Sequence, residues 1–126
     1  MHFSRRLLRI VFATVVAASV AACSIGAAVG LKTAPAVNTI CMDALLGGTL
    51  TRHAQTGLGV TSADGQSTAV EWPFGYTSRQ EGTKVALLDE AGKVVAREGD
   101  QISVGGGFGD DMWHACGGVF VEGDGG

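Results

Sequence analysis

The sequence contains no catalytic constellation. No serine is framed by glycines, no histidine pair stands at metal-ligand spacing, and no glycine-rich phosphate loop is present. A nucleophilic enzyme needs Ser or Cys beside a His that a carboxylate holds. His53 and His114 lie in no such motif, so the expectation is a non-enzyme without a cofactor. Basic charge is also scarce. Arg5, Arg6 and Arg9 belong to the N-terminal segment, and without them Lys+Arg falls from 9 to 6 against 12 Asp+Glu, a net of about −6. A nucleic acid partner needs a basic footprint, and this chain has the opposite sign. Proline is rare, at 2 residues beside 20 glycines, which suits a turn-rich β protein and argues against long helices. At 126 residues there is room for one domain.

What is present centres on residues 71–107. Residues 84–88 form an apolar run of strand length, 89–92 (DEAG) an acidic turn closed by glycine, and 93–97 a second strand-like run. Asp bonds its own backbone in such turns, and Gly takes φ > 0 without steric cost. A further turn at Glu98, Gly99 and Asp100 leads into 101–104, which alternates polar and apolar like a half-buried strand. The pattern predicts a three-strand meander.

The N-terminal segment reads as an export signal. Residues 1–9 carry three arginines and no acid, and residues 10–22 are an apolar run of mostly small and β-branched residues. Val20, Ala21, Ala22 and Cys23 resemble a bacterial lipobox. The resemblance implies diacylglyceryl transfer to the Cys23 sulfur, cleavage before it and acylation, palmitate included, of the new terminus. Several acyl chains anchor stably where one is marginal. Two other readings stand beside it: cleavage after Ala21 to release a soluble protein, or an uncleaved helix over the uncharged residues 10–31. All three place the domain on the extracytoplasmic face, since the arginines stay in the cytoplasm. The expected organisation is a signal peptide at 1–22, a tether at 23–40 and a domain at 41–126.

Cys41 and Cys116 remain in an oxidising compartment, where a disulfide is the default. Residues 45–51, 57–61 and 68–72 read as further strands, with Asp64-Gly65 a strong turn signal between two of them. Pro73 cannot donate to a ladder and marks a strand end. Residues 119–121 make a closing strand. Six or seven short strands with no helix suit a small antiparallel barrel, which removes exposed edges.

Trp72-Pro73-Phe74-Gly75-Tyr76, the LLD and VVA runs and Gly105-Gly106-Gly107 together resemble a group of uncharacterised small bacterial exported lipoproteins. These share a WPxGY…LLDxxGxVVAxxGDxxxxGGG pattern and a later cysteine. The resemblance implies an all-β, OB-like barrel and nothing about activity.

Candidate sites are sparse. Asp110 and Asp111 fit one copy of a calcium repeat that works only when stacked, so a solvated acidic loop is the plainer reading, although with Asp124 they offer oxygen ligands for calcium. Met112, His114 and Cys116 alternate, which puts them on one face of a strand, and with Met42 and His53 they suggest a soft copper site. Against this, the disulfide claims Cys116. Trp72, Phe74, Tyr76 and Trp113 are candidates to line a ligand groove, but so few aromatics are needed first for the core. The expected function is a membrane-tethered β-barrel module that binds an envelope protein or a small ligand. A copper- or calcium-binding lipoprotein is the alternative.

Overall fold

The computed structural model describes residues 30–123, so the signal segment, Cys23 and Asp124 lie outside the described residues. The chain forms eight strands: β1 (Ala44–His53), β2 (Gly57–Thr61), β3 (Ser67–Glu71), β4 (Thr77–Glu81), β5 (Lys84–Leu88), β6 (Val94–Arg97), β7 (Gln101–Gly109) and β8 (Met112–Val121). Five of them pair in a ring, β1-β2-β3-β8-β7 and back to β1, while β4-β5-β6 make a second, three-stranded sheet. The all-β class is as expected, with more strands than the pattern predicts.

β1 serves both halves of the ring. Its first part, Ala44 to Thr49, pairs with β7, and Thr49 to His53 pairs with β2. The switch falls beside Gly48, whose φ is 157° and where a Cβ would lie 2.4 Å from the Thr61 carbonyl oxygen. Inward side chains of the ring, among them Leu50, Leu58, Val70, Trp72 and Ile102, form one core with Val85, Leu87 and Ala96 of the small sheet. Leu87 is fully buried, as expected of a core-facing position in the 84–88 run.

Three sequence expectations need correction. The meander is β4-β5-β6, not β5-β6-β7. The reason lies in the turn at 98–100: Gly99 N donates to the Leu50 carbonyl and Leu50 N to that of Asp100, so the backbone docks on β1 and steers β7 onto it. The ring is not wholly antiparallel, because β3 and β8 run parallel through Val70–Trp113 and Glu71–His114. Residues 32–34, expected to lie in a tether, belong to the fold. Lys32 N donates to the Thr56 carbonyl, Trp72 N to that of Lys32 and Ala34 N to that of Trp72, so residues 32–34 extend the fold beside the end of β3. Ala34 is buried and Leu31 packs on the core.

Candidate functional site

After Ala34 the chain leaves the core and crosses to β8, where Cys41 is bonded to Cys116, the disulfide expected from the sequence. β8 is irregular at that point. Gly106 pairs with Ala115 and Val104 with Val119, which leaves Cys116, Gly117 and Gly118 opposite the single residue Gly105. Gly117 has φ +95°, which suits it to this bulge. A Cβ on Gly105 would stand 2.7 Å from the Cys116 carbonyl oxygen, so glycine lets β7 approach β8 closely beside the disulfide.

Two clefts flank the disulfide. One, of about 440 Å³, runs between Val37, Pro73 and Phe74 on one side and Ala115 to Gly117 on the other. The second, of about 320 Å³, lies between Met42 and Leu45 and the ring of Phe120. Cys41, Cys116 and Gly117 belong to both. The apolar side chains here are exposed: Ile40 by 87%, Leu45 by 69% and Phe74 by 48%. With Val37, Met42 and Phe120 they make an apolar rim around the disulfide, the kind of patch that marks an interaction site.

The predicted aromatic groove does not form. Trp72 is fully buried and its indole N–H donates to the Leu58 carbonyl at 2.9 Å. Trp113 is also buried; its N–H donates to the Gly105 carbonyl and its ring meets Phe108 edge to face at 5.1 Å. Tyr76 packs partly on the core, where burial, then Glu90 and Asp89, raise its phenol pKa. Of the four, only Phe74 lines a cleft. The core claimed the others because an indole satisfied internally is worth most where water is excluded.

The proposed metal ligands are otherwise engaged. Met112, His114 and Cys116 do share the outer face of β8, between the buried Trp113 and Ala115. Asp110 and Asp111, with φ 51° and 65°, form the two-residue turn between β7 and β8. Such hairpin turns need positive φ at both positions, which Asp tolerates better than most residues. Met42 lies over Gly107 and His53 accepts from Gln55 N. Among the described residues no group of three His, Cys, Asp or Glu is placed to hold one ion.

His114 is the most informative of these residues. Its Nε2 is 2.8 Å from the Gly109 carbonyl and its Nδ1 is 3.0 Å from a Glu71 carboxylate oxygen, with Lys32 Nζ 3.7 Å from the other. Both partners are acceptors, so the imidazolium, which donates from both nitrogens, fits best. The hydrogen bond to Glu71 chiefly raises the pKa above 6.5, helped by Gly109 and by the charges of Glu71 and Asp110 and opposed by burial. A raised folded-state pKa gives stability that is complete below the unfolded value and is lost as pH rises through the folded one. Stability should therefore fall from just above pH 6.5, by the roughly 0.2–1 kcal/mol of a partly exposed pair. Denaturant unfolding between slightly acidic and alkaline pH checks this. His114→Gln should flatten the profile, and an NMR titration placing His114 at or below its ordinary pKa would contradict it.

Comparison with protein-family models, with curated proteins and with solved structures gave no match.

Proposed function

We propose that this chain is a membrane-tethered, extracytoplasmic binding module of the cell envelope, which engages a partner through the apolar rim around the Cys41–Cys116 disulfide. The observation that carries the reading is the rim itself, in which six large apolar side chains stay exposed on a domain that buries Trp72, Leu50 and Leu87 completely. Solvent exposure of so many together is unfavourable unless something covers them. An OB-like barrel is the fold reading that fits. With the small sheet set aside, the ring order is 1-2-3-5-4 and the first strand is shared by both sides of the barrel, in line with the five-stranded architecture of that class.

Anchoring enters through Cys23, followed by a short link to Leu31, where the chain joins the fold. Eight residues span at most about 29 Å fully extended. The joining point is at the β1–β2 hairpin, beside Thr56 and Gly57, and the residues that follow bond to Trp72, two residues before Phe74 of the rim. A lipid on Cys23 would therefore hold the domain close to the membrane.

The test is a double variant, Phe74→Ser with Phe120→Ser. Both side chains are exposed, so the melting temperature should hold. Proteins that co-isolate with the wild-type chain from native membranes should be lost. Unchanged co-isolation would contradict the rim as the binding face.

A further inference from the structure

The two clefts beside the disulfide share a chemistry that apolar exposure does not explain. In the larger, the apolar walls at Val37, Pro73 and Phe74 are accompanied, among the described residues, by one charged side chain, Glu90. In the smaller, Met42, Leu45 and Phe120 are accompanied, among the described residues, by one charged side chain, Asp43. Among the described residues no lysine or arginine lines either cleft. Among the described residues neither carboxylate joins an ion pair, whereas Lys32, Arg52, Arg79 and Arg97 are all held by Glu71, Glu98 or Glu81. An apolar trough with an unpaired carboxylate complements a side chain that has an aliphatic stem and a cationic head. Phe74 and Phe120, one in each cleft, add aromatic rings of the kind that attract cations.

We propose that the rim binds a basic peptide segment, seating one Lys or Arg side chain in each cleft so that the disulfide lies between them. This rests on the rim being the binding face and names the chemistry of its partner. Charge decides against the other occupants. A second copy would set Glu90 and Asp43 against another acidic domain, and an anionic lipid surface would repel the same carboxylates.

The probe is a fluorescent octapeptide of alternating valine and lysine, titrated into the full-length protein in neutral detergent micelles. Saturable binding is expected, weakening as salt rises from about 0.05 to about 0.5 M because exposed charges are screened. Acetylating the lysines, or combining Glu90→Gln with Asp43→Asn, should each weaken binding by about fivefold or more, the effect of losing two exposed charge pairs. Both residues are exposed, so the melting temperature should not move. Equal binding of the acetylated peptide would overturn the proposal. So would self-association, or binding to phosphatidylglycerol vesicles, by a protein that ignores the peptide. If Phe74→Ser with Phe120→Ser abolishes co-isolation but the wild type ignores the peptide, the rim stands and the basic partner falls. If the peptide binds that double variant as well as wild type, both fall.

Discussion

Trp72→Ala should destabilise the domain by about 3–5 kcal/mol, the range for truncating a buried tryptophan. Trp72 is fully buried, and its indole N–H donates to the Leu58 carbonyl in β2. Its backbone also binds residues on the N-terminal side, donating to the Lys32 carbonyl and accepting from Ala34 N. One residue thus joins β2, the end of β3 and the 32–34 extension. Truncation leaves a large cavity and removes one of two donors to the Leu58 carbonyl, which keeps the Thr56 hydroxyl. Trp72→Phe separates the two contributions, because it keeps most of the volume and loses only the donor. Its cost should be nearer the roughly 0.5–1.5 kcal/mol of one hydrogen bond, because the Leu58 carbonyl keeps the Thr56 donor. Equilibrium unfolding in denaturant reads both values. A cost below about 1 kcal/mol for Trp72→Ala would show that the core is not organised around this ring.

Replacing both Cys41 and Cys116 by serine should lower stability by about 2–5 kcal/mol. The bridge closes a loop with a sequence separation of 75 residues, for which chain entropy gives about 4 kcal/mol. That is a large share of the roughly 5–15 kcal/mol that holds a domain together. The loss acts mainly through the unfolded chain, so the slowest-exchanging core amides, which open only by global unfolding, should lose protection by the same free energy. The segment carrying Val37, Ile40 and Met42 should also open locally, since the disulfide fastens it to β8. A stability change within half a kcal/mol, or core protection that does not fall, would contradict this account.

The contrast between legible and hidden elements follows from where the signal resides. Residues 45–51, 57–61 and 68–72 announce β1 to β3 through apolar and β-branched runs, and Asp64-Gly65 marks a turn that Ser62 closes by bonding Asp64 and the Gln66 backbone. The 89–92 turn behaves likewise: Asp89 Oδ1 accepts from Ala91 N and Lys93 N. β4 is different. Its sequence, TSRQE, shows no apolar alternation, and it becomes a strand because it completes the ladder of β5. The second half of β7 is hidden by Gly105, Gly106 and Gly107, which pair through backbone alone. The 32–34 extension is invisible for the same reason, as its bonds to Thr56 and Trp72 involve no side chain. Aromatic content does not mark a site in this chain, because Trp72 and Trp113 serve the core. The better signal was Val37, Ile40 and Met42 beside Cys41, apolar residues in a stretch whose only evident role was to link. What the ring topology adds is the juxtaposition of that stretch with Phe74 and Phe120.

The most direct measurement is site-specific photo-crosslinking in intact cells. A photoreactive side chain is placed at Ile40, Phe74 or Phe120 on the rim, and at Gln55 or Asp64 as exposed controls away from it. Adducts of a common mass are expected from all three rim positions and from neither control. Adducts from Gln55 or Asp64, with none from the rim, would place the binding face elsewhere and contradict the assignment.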